Sequence, residues 1–252
     1  MPELPEVETT KRKLEPLLLG RRILELGNRK ILKIERRGKA ILIHLSGDKI
    51  LAFHQRMSGK LLVLERGFRD KRIRFRFRLS SGKDLVLHDV RKFGVVWYGP
   101  AEKVLKDKYL SKLGPDPLKI DFKEFKVLLK KHKGMIKPLL LRQDIFSGIG
   151  NIVADESLWK AKIHPRKRTE DFGNSEIGRL HQAIRYIVSK SIRLGGTTMR
   201  DWRHPDNTQG GYYERRYIYG RAGEKCQRCG KMVIRMKAAG RGTFICQKCQ
   251  KI

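Results

Sequence analysis

Two cysteine pairs constrain this chain more than any other feature. Two residues separate Cys226 from Cys229 and Cys246 from Cys249, and sixteen residues lie between the pairs. Four thiolates at this spacing can close a tetrahedron around Zn²⁺. A redox pair is the alternative reading, but the segment lacks the strand–helix–strand setting such a pair needs. Four sulfur ligands leave no coordination position open, so the expected cofactor is one structural Zn²⁺. The segment from Arg221 to Ile252 holds nine Lys/Arg and one acid, Glu224. A metal-held hairpin with that charge suits a polyanion.

The whole chain carries the same signal. It has 58 Lys+Arg against 26 Asp+Glu, a formal net charge of +32 over 252 residues. A compact fold gains nothing from this excess, because self-repulsion opposes it. A nucleic-acid partner accounts for it. A ribosome-associated chain would carry the same charge, so the balance sets the partner class and not the activity. No run approaches the roughly 18 apolar residues of a membrane span. Acidic Glu3, Glu6 and Glu8 stand where a signal peptide is basic. The expectation is a cytoplasmic monomer with no membrane partner, whose cysteines are poor disulfide candidates.

The N-terminal part reads as one helix followed by short strands. Pro5–Leu19 has proline in its first turn, Glu6 and Glu8 at the positive end and Gly20 at the stop. Pro16 is expected to end it early. From about Ile23 to Tyr98 the apolar period falls to two. The segments are Ile31–Arg37, Ala40–Leu45, Lys49–Phe53, Lys60–Glu65, Arg72–Leu79, Asp84–His88 and Gly94–Tyr98. Short strands at this spacing predict a β-sandwich. Alternation within Arg72–Leu79 turns Ile73, Phe75, Phe77 and Leu79 inward, with Arg72, Arg74, Arg76 and Arg78 on a solvated face.

Leu113-Gly-Pro-Asp-Pro-Leu118 suits neither helix nor strand and marks a domain boundary. Beyond it the period is helical. Phe122, Phe125 and Leu128/Leu129 form one stripe, and helices follow at Asn151–Ala161 and Ser175–Leu194. The predicted class is α+β: an N-terminal β-sandwich with a leading helix over 1–113 and a linker over 114–121. A helical helix-two-turn-helix domain over 122–211 and a zinc-finger β-hairpin over 212–252 follow.

Two further motifs point to chemistry without fixing it. Gly148 and Gly150 precede the helix from Asn151, so a phosphate can approach its unpaired N–H groups. Asn151 either caps that helix or binds the phosphate, and Lys137 lies just upstream. At the other end, removal of Met1 before a small residue would make Pro2 a secondary amine with a pKa of ~8. Such an amine can attack a sugar C1′ to give an iminium, with Glu3 as general acid. On this segment alone, an ordinary helix lead-in is the better explanation of Pro2.

Taken together, the chain resembles the formamidopyrimidine-DNA glycosylase family along almost its whole length. Met1-Pro-Glu-Leu-Pro-Glu-Val-Glu8 is similar to the family's opening signature. Arg36-Arg-Gly-Lys39, His54-Gln-Arg-Met-Ser-Gly59, Asp89-Val-Arg-Lys-Phe-Gly94, Leu113–Leu118, Gly150–Ser157, Gly195-Gly-Thr-Thr198 and the cysteine hairpin follow in the family's order. The resemblance implies a bifunctional glycosylase/AP lyase that excises oxidised purines from damaged double-stranded DNA, which would lie in a basic cleft between the domains. The sandwich would then be the catalytic domain.

Residue by residue, the resemblance implies that Pro2 is the nucleophile and Schiff-base residue. Glu3 would protonate the sugar ring oxygen, Glu6 would arrange the amine and water, and Lys39 would hold a phosphate near the lesion. Met57, Arg91 and Phe93 would fill the void left by the flipped base, with Arg91 reading the opposite cytosine. Lys137, Asn151 and Arg241 would clamp flanking phosphates. Glu156 would line the pocket or stand on a helix surface. Thr197 and Thr198 would begin a lesion-recognition loop, which would be mobile. No small-molecule or redox cofactor is implied.

The chain departs from the family pattern at three places. The stretch from Gly20 to Lys39 is short, Gln55-Arg56 stand where small or apolar residues are usual, and Val90 stands where proline often precedes the arginine. Two other readings stay open here. An endonuclease VIII-like enzyme for oxidised pyrimidines would share the architecture, although Leu4 and Val7 favour the purine branch. A non-catalytic zinc-ribbon binder would explain charge and cysteines but leave Pro2 and Glu3 without a role. If about six phosphates are contacted, log affinity should fall with log salt at a slope near −5. Binding titrations across salt concentrations measure this, and a flat dependence would remove the polyanion reading.

Overall fold

The computed structural model describes residues 1–199 and 202–252. Contacts divide the chain into two compact units, one of 1–112 with 192–213 and the other of 113–191 with 214–252.

The first unit opens with helix α1 (Leu4–Leu18), capped by a reciprocal box in which Glu3 and Glu6 each accept from the other's backbone N–H. Against expectation, α1 runs through Pro16. Leu14 and Leu18, on either side of it, are fully buried. Burying such a side chain is worth about 1.5–3 kcal/mol, which offsets the hydrogen bond that proline removes.

Eight strands follow: β1 (Arg22–Ile23), β2 (Arg29–Arg37), β3 (Ala40–Leu45), β4 (Lys49–His54), β5 (Lys60–Glu65), β6 (Ile73–Arg78), β7 (Lys83–His88) and β8 (Val95–Pro100). They form a five-stranded sheet in the order β1-β2-β3-β4-β8 and a three-stranded sheet in the order β5-β7-β6. Leu14 and Leu18 of α1, Ile41, Ile43 and Phe53 of the larger sheet, and Leu61, Leu85 and Leu87 of the smaller share one core. The β-sandwich with a leading helix is therefore present.

The short Gly20–Lys39 stretch folds as a hairpin, β1 pairing directly with β2 through Arg22↔Lys30 and Ile23↔Arg29. In β6 the alternation fails. A bulge between Ile73 and Phe75 shifts the register against β7, and Phe75 is left 37% exposed. Three of the outward arginines are engaged by acids, Arg72 by Asp70, Arg76 by Asp84 and Arg78 by Glu25.

Residues 192–213 belong with this unit, although the sequence boundaries place them with the helices. Their bonds explain the grouping. Lys13 Nζ donates to Asp206 and Thr208 (2.7 and 2.9 Å), and Val63 N–H donates to the Pro205 carbonyl (3.2 Å).

The second unit contains α3 (Phe122–Lys131), α4 (Ile136–Leu141), α5 (Asn151–Ala161), most of α6 (Asn174–Arg193) and the hairpin β9 (Ile234–Ala238)–β10 (Arg241–Ile245); the short α2 (Ala101–Leu105) lies in the first unit. Phe125 and Leu129 of the predicted stripe are buried, while Phe122 is 41% exposed. On α6, Ile177, Leu180, Ile184, Ile187 and Val188 form the buried face. Among the described residues, no helix is long and apolar enough to cross a membrane.

His54, at the end of β4, is held neutral by its surroundings. Burial, with the nearby charges of Arg56 and Lys39, pushes its pKa down from 6.5 to about 3. An imidazole whose folded pKa is depressed contributes stability above its unfolded pKa and loses it as pH falls toward the folded one. Stability should therefore fall between pH 6.5 and about 3. In His54→Gln this fall should flatten by up to ~1.4 kcal/mol per pH unit. Denaturation at stepped pH measures the difference.

Candidate active site

The N-terminus of α1 gathers the first group of candidates. Pro2, Glu3 and Glu6 are buried, whereas Met1 is 56% exposed. Glu6 Oε2 accepts the Glu3 N–H at 2.8 Å and Oε1 accepts the Thr197 N–H at 2.6 Å. One carboxylate thus ties the proline segment to the start of the candidate lesion loop. Gly196 makes this approach possible. Its backbone is left-handed at φ +76, and an added Cβ would lie 3.0 Å from Glu6 Oε1. Burial, then the charge of Glu3, pushes Glu6 up to about 7 with Met1 in place. A cationic amine at Pro2 would draw it back down.

The loop is clasped at its base. Tyr212 N–H donates to the Gly196 carbonyl (3.0 Å), and Gly211 N–H donates to the Leu194 carbonyl (2.7 Å). Thr198 Oγ1 accepts the Gly210 N–H at 2.9 Å. Arg200 and Asp201, within the segment expected to be mobile, lie outside the described residues.

Lys39 is not a surface lysine. It is 5% exposed, in the β2–β3 turn. Arg36 fixes that turn to α1, donating to Glu8 Oε2 (3.0 Å) and to the Gly38 carbonyl (3.2 Å).

Met57, Arg91 and Phe93 sit on two neighbouring loops, β4–β5 and β7–β8. All three are exposed, Met57 by 50% and Phe93 by 59%. The loops are joined by two residues that the sequence reading does not single out. Ser58 Oγ donates to Asp89 Oδ1 (2.5 Å), and Asp89 Oδ2 accepts the Gly94 N–H (2.7 Å). Arg91 N–H donates to both Ser58 Oγ and Asp89 Oδ1, each at 3.2 Å. An aspartate two residues before an exposed loop residue is an Asx-turn signature, so the sequence does carry a signal for Asp89. Arg56 and Lys92 hold left-handed backbone at φ 52 and 60, strain of order 1–2 kcal/mol each. Gln55 is 1% exposed, and neither amide atom has a hydrogen-bond partner among the described residues.

In the second unit the structure places Lys137 in the interior. Its side chain is fully buried, and Nζ meets Asp155 Oδ1 (2.6 Å), Thr243 Oγ1 (2.7 Å) and the Gly242 carbonyl (3.1 Å). The ammonium is thus directed at protein groups, and the residue fixes the turn that carries Arg241. Asn151 Nδ2 donates to the same Gly242 carbonyl (3.0 Å). Arg241, at the start of β10, is exposed. Burial pushes the Asp155 carboxyl up to about 7 against the pull of Lys137, and its Oδ2 accepts the Phe244 N–H (3.0 Å). Glu156 is neither a surface acid nor an open pocket residue. It is fully buried and accepts the backbone N–H groups of Tyr217, Ile218 and Tyr219 at 2.8, 2.7 and 2.9 Å.

The sulfurs of Cys226, Cys229, Cys246 and Cys249 all lie within 4.8 Å of one another. Zn–S bonds of ~2.3 Å need S···S edges of ~3.8 Å in a tetrahedron, so small movements seat the ion. The residues fit one structural Zn²⁺.

This is a β-sandwich unit with a buried carboxylate pair behind Pro2, and a helical unit that ends in a zinc hairpin. Comparison with known proteins matches the same parts. The profile of the formamidopyrimidine-DNA glycosylase N-terminal domain matches residues 24–96, that of its H2TH domain 113–202, and a zinc finger found in FPG and IleRS 223–252. A formamidopyrimidine-DNA glycosylase of Heliobacterium modesticaldum is 37% identical over 277 residues, with all of both chains covered. The crystal structure of the MutM (Fpg) protein of Thermus thermophilus superimposes with a TM-score of 0.90 at 37% identity, covering 99% of this chain and 98% of that one. A Lactococcus lactis Fpg bound to DNA containing an abasic site gives 0.90 at 36% identity, covering 99% of this chain and all of the other. The chain belongs to the formamidopyrimidine-DNA glycosylase family.

Removing Lys137 should leave Asp155 alone in the interior. Lys137→Met is expected to cost about 3–5 kcal/mol of stability, and adding Asp155→Leu should recover most of it. Denaturant unfolding of the zinc-loaded variants tests the pair; simply additive losses would show the two side chains to be uncoupled.

Proposed function

We propose that this chain is a bifunctional DNA glycosylase/AP lyase of base excision repair, acting on oxidised purines such as formamidopyrimidines and 8-oxoguanine in duplex DNA. The observation that carries this reading is the buried Pro2–Glu3–Glu6 group, with a loop backbone held on Glu6. It accounts for features that a passive DNA binder leaves unused: two buried carboxylates packed beside a buried proline, next to an exposed Met1.

After removal of Met1, the neutral Pro2 amine attacks C1′ of the flipped nucleotide. The electron pair of the glycosidic bond leaves with the base, which takes up the proton that the amine gives up. Glu3 gives a proton to the ring oxygen as the sugar opens, and an iminium joins Pro2 to C1′. Loss of a C2′ proton then expels the 3′ phosphate. A second elimination expels the 5′ phosphate, leaving a one-nucleotide gap, and water releases the sugar fragment from Pro2. Glu6 orients the segment through the Glu3 N–H. Lys39 holds a phosphate beside the reacting sugar.

Met57, Arg91 and Phe93 enter the stack where the base left, with Arg91 against the opposite cytosine. Their loops arrive already joined through Ser58 and Asp89, so less ordering is needed on binding. Asn151 and Arg241 contact flanking phosphates, and Lys137 acts through the turn it holds. Thr197 and Thr198 begin the segment that covers the damaged base. The four thiolates are kept reduced for zinc in the cytoplasm, where we place the enzyme with the nucleoid DNA.

Borohydride reduction during turnover on 8-oxoguanine or abasic duplex should cross-link the trimmed protein to DNA. The adduct should be absent from Pro2→Gly and from protein retaining Met1. Trimmed protein that binds damaged duplex and never cross-links would defeat the proposal.

A further inference from the structure

The zinc hairpin makes its most specific contact at the far end of α5, and the catalytic reading does not use it. Trp159, 4% exposed, directs its indole N–H at Cys226 Sγ, 3.4 Å away. Two side chains hold the ring. Arg228, between the cysteines of the first knuckle, stands over it with Cζ 4.0 Å from the centroid. Tyr217 stacks on the ring at 4.8 Å and 16°. Lys190 Nζ then stands over Tyr217 at 3.9 Å. Arg228 also donates to the carbonyls of Trp159 (2.9 Å) and Lys160 (3.2 Å), in the last turn of α5. The order Arg228–Trp159–Tyr217–Lys190 runs cation, ring, ring and cation, each contact favourable by ring quadrupole or dispersion.

We propose that Trp159 is a positioning residue for the zinc centre: its indole N–H donates to the metal-bound Cys226 thiolate, and the stacked column holds the ring in that aim. A hydrogen bond to a ligand thiolate draws off part of its charge and fixes its direction, as partners behind a metal's own ligands generally do. Phenylalanine would stack equally well but could not donate. The position also gives α5 a mechanical role. Asn151, at the start of the helix, holds the Gly242 carbonyl, Asp155 holds the Phe244 N–H, and Trp159 holds Cys226. The helix spans the finger from its exposed turn to its metal, so loading of the metal and placement of Arg241 are coupled through one rigid element.

Trp159→Phe keeps the stack and removes the donor. Zinc transfer from the intact protein to excess chelator, followed with a metal-sensitive dye, should be about tenfold faster or more. In Co²⁺-substituted protein the thiolate-to-metal charge-transfer band should shift relative to the parent. Tyr217→Phe keeps donor and stack, and its band should stay in place. Unchanged release with an unmoved band overturns the proposal. Faster release with an unmoved band overturns it too, because the ring would then serve by packing alone.

Discussion

Much of the first unit is organised around one buried carboxylate. Glu6 directs both oxygens at backbone N–H groups from distant parts of the chain, one on its own cap residue and one on Thr197. A carboxyl group at that depth is tolerable only with such partners. The demand propagates outward. It requires a residue without a side chain at 196, holds the loop base against α1, and sets the direction in which the chain start enters the fold. A helix cap, ordinarily worth ~1 kcal/mol, here also decides where a loop 191 positions along the chain, at Thr197, is fastened.

The second unit solves a related problem with α5. That helix buries Asp155, Glu156 and Trp159 on the side facing the hairpin and the preceding segment, and each meets a polar group there. An apolar face would have bound the hairpin without fixing its register. Buried polar pairs are exacting about geometry, because a misaligned one leaves an unpaired group in a poor solvent. The result is a small finger whose metal supplies folding energy and whose docking is set by hydrogen bonds at three points along one helix.

The periodic parts of the fold are legible in the sequence. Strands β3 and β5 and helix α5 lie where the pattern puts them, and the four thiolates converge as their spacing requires. What escapes is set by tertiary contacts. Pro16 reads as a stop because local propensity cannot see that Leu14 and Leu18 share a core with both sheets. The β6 bulge escapes a strict two-residue period. Lys137 and Glu156 carry charges that suggest solvent or DNA, and their burial depends on partners at 155, 242–243 and 217–219. Ser58 and Asp89 escape as well, because they hold other residues in place and present little to the outside.

The burial of Pro2 behind an exposed Met1 has a practical side. On the proposed chemistry, protein that keeps Met1 is inactive, and an aminopeptidase cut before Pro2 activates it. On that same chemistry, any residue left bonded to the proline nitrogen would make it an amide and silence the reaction.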